Sequence, residues 1–149
     1  MTHFEIVPLK GLGNLKFGQT IEETIAMIGD AEEIDEMDGE DNMNTVILHY
    51  WSHGISIFFE GVEKSVISCF ETDNPECKLF DVPVFQMDQK SIIKHMKKNG
   101  FKEFETDREE GESRLTFEEG LIDFFYVDGL LSTVNWGVLV NSNGEIEKF

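Results

Sequence analysis

This chain of 149 residues has few of the sequence features that mark membrane, secreted or disordered proteins. No apolar run approaches the ~20 residues that a membrane-spanning helix needs. Residues 1–8 carry neither the basic flank nor the apolar stretch of a secretion signal, so we expect a cytoplasmic protein. Proline is rare, at 3 residues, whereas 13 phenylalanines and an apolar fraction of 40% are enough to build a core. Wholesale disorder is therefore excluded, and the length suits one domain or two very small ones.

Cysteine is equally scarce in the chain. Cys69 and Cys77 are the only two, and their spacing matches neither a Cys-x-x-Cys redox motif nor a zinc-binding pattern. We therefore expect two free thiols in a reducing compartment rather than a disulfide.

Positive charge is the third shortage, because 12 Lys and Arg stand against 30 Asp and Glu, giving a net charge of −18. Such a charge repels the phosphates of nucleic acids and anionic lipid surfaces, so we expect neither as a partner. The same charge attracts a basic protein.

The chain contains an internal repeat. Residues 17–29 and 85–100 share a phenylalanine, a capping residue, a helical apolar pattern and a closing glycine. Thr20 and Asp88 are suited to cap a helix, and Thr20 with Glu23 forms a capping-box pattern. Each unit is therefore predicted to open with a short helix that stops at its glycine.

Three strand-like segments follow each predicted helix. They are residues 45–52, 55–60 and 65–71 in the first unit and residues 113–118, 121–126 and 130–136 in the second. Asp128 and Gly129 form a hairpin-turn signal, and the short gaps imply antiparallel meanders. The predicted fold class is α+β, a tandem repeat of two αβββ units that form an antiparallel sheet with helices on one face. The first unit, with an N-terminal arm, covers residues 1–82, and the second, with a C-terminal tail, covers residues 83–149.

Alternation along the strands predicts which side chains are buried. Leu115 and Phe117 are expected to point inward, and the same pattern in the first unit places Leu48 and Tyr50 inward. The outward set in that unit is Ile47, His49 and Trp51. Trp51 then either lies exposed or packs on the neighbouring unit.

Charged residues are clustered. Residues 30–41 and 103–112 are strongly acidic, and we expect them to form mobile loops on one edge of the molecule. The second helix instead carries a basic stripe of Lys90, Lys94, Lys97 and Lys98. That stripe either faces solvent or contacts the protein's own acidic loops, across a dimer for example.

Motifs for catalysis and for metal binding are missing from the sequence. On a regular strand His49 and His53 would stand ~13 Å apart, which is too far for one metal ion. The acidic run 35–42 does not fit a calcium loop, because its glycine would place Ile34 at the first ligand position. Neither a phosphate-binding loop nor a nucleophile elbow is present. We therefore expect no enzyme activity, no cofactor and no metal.

Residues 11–30 resemble the opening segment shared by several small bacterial αβββ units, including proteins with the beta-lactamase-inhibitory-protein-like fold. The end of the second unit, residues 120–137, resembles acidic cytoplasmic proteins of bacteria, some of which are toxin-immunity proteins. The resemblance spans about residues 10–138 and implies a tandem αβββ fold and a role in binding another protein.

The sequence and this resemblance together predict an immunity protein that neutralises a cognate bacterial toxin, contact-dependent or polymorphic and of the nuclease type. Its partner would be a basic toxin domain, and the free protein would be a monomer or a weak homodimer. The residues expected to bind the partner are Glu36, Asp38, Glu40, Asp41, His49, Trp51, Glu118 and Asp123. The alternatives are a small binding module for another ligand and an enzyme with a site at the cleft between the repeats.

Overall fold

The structure is a computed structural model that describes residues 4–39, 43–141 and 143–147. Its helices are α1 (Ile21–Ile28) and α2 (Gln89–Lys98). The shorter strands are β1 (Glu5–Val7), β2 (Gly11–Leu12), β3 (Leu15–Lys16), β8 (Lys78–Leu79) and β9 (Val82–Pro83). The longer strands are β4 (Glu33–Asp38), β5 (Asn44–Tyr50), β6 (Ile55–Gly61), β7 (Val66–Thr72), β10 (Glu105–Glu109), β11 (Glu112–Phe117), β12 (Ile122–Val127) and β13 (Leu130–Gly137).

The longer strands form one antiparallel sheet of eight strands in the order β10-β11-β12-β13-β7-β6-β5-β4. It consists of two four-stranded meanders, β4 to β7 and β10 to β13, which join where β13 pairs with β7. The shorter strands form a second sheet in the order β3-β2-β1-β8-β9. In that sheet β1 runs parallel to β8, so the start of the chain is tied to the segment between the two meanders.

The predicted α+β repeat of two αβββ units is wrong. The described part of the chain is mostly β, with thirteen strands in two sheets and only two short helices. Each helix is followed by four strands rather than three, and the five-stranded sheet has no counterpart in the prediction. The division of the chain between residues 82 and 83 stays a prediction.

The acidic segments account for the additional strands. The loop predicted within residues 30–41 contains β4, and the one within residues 103–112 contains β10. Both are edge strands, and they lie at opposite ends of the eight-stranded sheet rather than together on one edge of the molecule. Charged residues on edge strands discourage pairing with other chains, so the carboxylates protect both ends of the sheet.

The six predicted strands and both helix starts are confirmed. The strands correspond to β5, β6, β7, β11, β12 and β13 within one or two residues. Thr20 caps α1, and the side chain of Glu23 completes the predicted capping box. Asp88 caps α2 by accepting a hydrogen bond from the amide of Ser91 at 2.9 Å.

The core lies between one face of the eight-stranded sheet and a layer made of the helices and the five-stranded sheet. Leu48, Tyr50, Leu115 and Phe117 all point into it, as the alternation predicts. From the other layer come Ile6, Leu12 and Leu15 of the short strands and Ile92 and Met96 of α2. The indole of Trp136 donates to the carbonyl of Gly11 at 2.9 Å and so joins the two layers with a buried hydrogen bond.

The helices of the described residues are short, at 8 residues for α1 and 10 for α2. Neither has the length and the apolar character to cross a membrane.

Candidate protein-binding face

The face of the eight-stranded sheet that points away from the core is called here the outer face. Cross-strand partners lie on the same side of a sheet, so the strand register defines its members. One row of residues runs across this face with a member from every strand, and we call it the polar row. In spatial order it consists of Glu33, His49, Ser56, Glu71, Asn135, Asp123, Thr116 and Glu105. At ~4.8 Å between strands, the row extends over about 34 Å.

Side chains of the polar row bond to one another or to their neighbours. His49 bonds through Nδ1 to Ser56 Oγ at 2.8 Å, and Thr116 donates its hydroxyl proton to the carboxylate of Asp123. Beside the row, the thiol of Cys69 donates to the amide oxygen of Asn135 at 2.9 Å. These bonds restrain the side chains of five of the eight row residues.

His49 and Trp51 form an aromatic pair at one end of the row. Their rings stack with centroids 4.3 Å apart and planes 9° from parallel. Trp51 lies in a short 3-10 turn after β5 and is 54% exposed, whereas His49 is only 9% exposed. The indole of Trp51 also donates to Glu33 Oε1 at 3.3 Å. Trp51 therefore packs on its own meander and not on the neighbouring one, and much of its ring faces solvent.

Three grooves adjoin the polar row, and one of about 490 Å³ lies at its β10 end beside Glu105, Thr116 and Glu118. The other two lie nearer the centre of the outer face. The larger of these two, of about 400 Å³, is lined by carboxylates of β7, β10 and β11 together with Arg114 and Phe125. The smaller, of about 190 Å³, lies beside Trp51 and Ser56. Glu71 and Thr133 line both grooves, so the two are neighbours along the centre of the sheet.

The outer face is strongly acidic. Its carboxylates in the described strands are Glu33, Asp35, Glu60, Glu71, Glu105, Asp107, Glu109, Glu112 and Asp123. Against these, the strands contribute the basic side chains of Arg114 and His49, each paired with an aspartate. Arg114 reaches Asp107 at 3.4 Å across the β10–β11 pair. Most of the negative charge on this face is therefore not neutralised within the chain.

The structure brings some of the predicted partner-binding residues together and separates others. His49 and Asp123 belong to the same row, four strand spacings or about 19 Å apart. Trp51 adjoins one end of the row, and Glu118 lies exposed in the corresponding 3-10 turn at the other end.

Glu36 and Asp38 lie elsewhere. Both are on β4, but their cross-strand partners are Val46 and Asn44, which places them on the side of the sheet opposite His49. Glu40 and Asp41 fall outside the residues that the structure describes.

The predicted partner-binding residues do not include those in the middle of the outer face, such as Ser56 and Glu71. Ser56 stands between Ile55 and Ile57, and Glu71 directly follows Phe70, so both are polar residues that alternate with buried apolar ones. That alternation is the signal that could have placed them outward. Glu33 and Asp35 lie in an acidic run that the sequence predicts to be a loop, whereas the structure places both in β4.

Burial changes the chemistry of the two thiols. It raises the pKa of Cys69 to about 12, with nearby carboxylates, Glu71 first, adding to the effect. It also raises the pKa of Cys77 to about 11. Neither thiol is a thiolate at neutral pH, so neither has the ionised form that a cysteine nucleophile requires.

No protein-family model matches the chain, and no curated protein matches it. Among solved structures, the chain is similar to an extracellular protein containing a SCP domain from Bacillus anthracis str. Ames. The TM-score is 0.45 at 12% identity, over 80% of this chain and 43% of the other. The chain thus spans less than half the length of that structure.

Proposed function

We propose that this chain binds a basic protein through its outer face and acts as an immunity protein that neutralises a bacterial toxin. The observation that carries the proposal is the polar row with its surrounding carboxylates, a preformed acidic surface on the side of the sheet opposite the core. Toxins that cut nucleic acids need basic surfaces for phosphate contacts, and an acidic protein can cover such a surface.

Charge favours this type of partner. A net charge of −18 produces a long-range field that accelerates encounter with a basic protein and repels acidic ones. The carboxylates of the outer face then give the complex its orientation, because opposite charges must meet in register.

The aromatic side chains favour a protein partner over a free ion or metabolite. Trp51 presents half of its ring to solvent next to a groove, and Phe125 lines the larger of the two central grooves among carboxylates. Tryptophan is among the residue types that dominate binding energy at protein interfaces. A lysine or arginine of the partner can also pack over either ring while pairing with a carboxylate.

The size of the surface is also suitable. About 34 Å across the strands and about 20 Å along them gives roughly 700 Å² before side-chain relief. A standard protein interface covers about 800 Å² on each partner. Small-molecule sites bury most of their ligand, whereas these grooves are open to solvent. We place this function in the cytoplasm, where the two free thiols would stay reduced.

The experiment is capture of the partner from the native host with the tagged chain, at low and at high salt. Two variants with the same change in net charge are compared with the wild type. Glu105→Lys with Asp107→Lys alters the outer face, and Glu36→Lys with Asp38→Lys alters the opposite side of the sheet. All four positions are exposed on edge strands, so both variants are expected to fold.

The proposal predicts a stoichiometric basic partner, weaker binding at high salt, and a larger loss of affinity for the outer-face variant than for its matched control. Expression of the captured protein alone should be toxic, and co-expression of the wild-type chain should restore growth. Equal loss of affinity in the two variants would place the interface elsewhere. A partner that is harmless to the cell would exclude the immunity role.

A further inference from the structure

The end of the polar row at β4 and β5 brings three potential metal ligands together. The donor atoms of Glu33, Asp35 and His49 all lie within 4.8 Å of one another. His49 Nε2 and Asp35 Oδ2 are the nearest pair, at 2.8 Å. Continuous pairing of β4 with β5 fixes the backbone positions from which the three side chains project.

The ring of His49 is held in the orientation that a metal ligand requires. It is 9% exposed, its Nδ1 bonds to Ser56 Oγ at 2.8 Å, and Trp51 covers one of its faces. These contacts aim Nε2 at the carboxylates. Histidine ligands in metal sites share this feature, because the ring nitrogen that does not bind the metal bonds to a neighbouring oxygen, which fixes the tautomer.

We propose that Glu33, Asp35 and His49 bind a divalent transition-metal ion of the zinc type. An imidazole nitrogen with two carboxylates suits zinc, whereas calcium and magnesium prefer all-oxygen sites. Three protein ligands leave the fourth position of a tetrahedral ion to water. Donors at about 2.0–2.1 Å from zinc stand ~3.3 Å apart. Both carboxylates are exposed, so side-chain rotation alone can bring them to that spacing.

The other end of the sheet offers an internal comparison. A 3-10 turn follows β5 at Trp51–His53, and another follows β11 at Glu118–Gly120. Relative to these turns, Thr116 occupies the position of His49, and Asp123 occupies that of Ser56. Glu105 and Asp107 take the positions of Glu33 and Asp35. Both ends therefore carry the carboxylates, but only the β4–β5 end adds an imidazole. The proposed site depends on that histidine and not on acidity alone.

The test is calorimetric titration of the metal-free protein with zinc chloride, followed by absorption spectroscopy with cobalt(II) as a probe. The wild type should bind one zinc ion per chain, and cobalt should show the bands of a low-coordinate site. Glu33→Gln and Asp35→Asn should each weaken binding by about tenfold or more. Asp107→Asn, the matched control at the other end of the sheet, should bind zinc as the wild type does.

A direct readout on the histidine completes the test. In nitrogen-15 NMR spectra, zinc should shift the Nε2 resonance of His49 strongly and leave Nδ1 protonated. His49→Gln should abolish the saturable site, with thermal unfolding used to confirm that this variant still folds. Equal zinc affinity in the wild type, Glu33→Gln and Asp35→Asn would overturn the proposal, as would an unchanged His49 resonance at saturation. Either result would leave the proposed partner-binding function untouched, because that function does not depend on a metal.

Discussion

Single residues on the outer face are positioned by their neighbours on adjacent strands. His49 bonds to β6 through Ser56 and to β4 through Asp35, so three strands fix one imidazole. Cys69 on β7 similarly donates to Asn135 on β13, at the junction of the two meanders. Because its pKa is raised to about 12, the thiol of Cys69 remains a donor well above neutral pH.

This raised pKa predicts a loss of stability in alkaline solution. The ordinary pKa of a cysteine thiol is 9.0, which applies to the unfolded chain, and the folded value of Cys69 is about 12. Below pH 9 the thiol is protonated in both states, and its full contribution to stability is present. As the pH rises from about 9 towards 12, only the unfolded chain loses the proton, so the free energy of unfolding falls.

Urea denaturation at about pH 8 and about pH 10.5 measures this effect. Cys69→Ser is the control, because serine does not ionise in this range, and its loss of stability between the two pH values should be smaller. Tyr126 and Cys77, whose pKa values are also raised by burial, contribute with the same sign in both proteins. An identical pH dependence in the wild type and Cys69→Ser would contradict the assignment to Cys69.

At the scale of elements, the sequence correctly predicts the features that depend on neighbouring residues, such as helix caps and tight turns. The caps at Thr20 and Asp88 form as expected, and the turn at Asp128 and Gly129 joins β12 to β13 with both residues at positive φ. Capping oxygens and turn residues act within a few positions of the chain, so a sequence contains their whole signal.

Elements that depend on distant partners were missed for a physical reason. Aspartate and glutamate have low β propensity, but this preference is small compared with the backbone hydrogen bonds that a paired strand forms. Four of the six residues of β4 are acidic, and the strand still pairs along its length with β5. β2, β3, β8 and β9 have only two residues each, which is too short for any periodicity to appear in the sequence.

The cap of α1 gives a prediction at this scale. Thr20 accepts a hydrogen bond from the Glu23 amide at 3.2 Å, and α1 has only 8 residues over which to compensate for its loss. Thr20→Ala should therefore lower the free energy of unfolding by about 1 kcal/mol. Thr20→Ser retains the capping oxygen and should stay close to the wild type in the same chemical denaturation experiment. A similar loss in both variants would show that the methyl group, and not the cap, matters at this position.

The one basic stripe of the described chain lies on the opposite side of the molecule from the acidic outer face. The outer face is acidic, whereas Lys90, Lys94, Lys97 and Lys98 lie exposed on α2, in the layer on the core side of the sheet. All four lysines are exposed in the single chain, and Lys97 also lies over the ring of Phe104 at 5.5 Å from its centroid. Contact with the acidic segments across a dimer stays a prediction. A basic partner of the proposed kind would be attracted to the outer face and repelled locally by the lysines of α2.

The position of the two tryptophans allows the central claim to be tested directly. Trp51 is 54% exposed beside the polar row, whereas Trp136 is fully buried in the core. Acrylamide, a neutral quencher, should therefore reach Trp51 and leave Trp136 almost unaffected in the free protein.

The measurement is acrylamide quenching of the tryptophan fluorescence of the chain, before and after saturation with the captured partner. If the partner binds the outer face, the accessible fraction of the emission should disappear and the spectrum should shift to shorter wavelength. Quenching that remains unchanged at saturation would show that Trp51 stays in solvent and would contradict binding at the outer face.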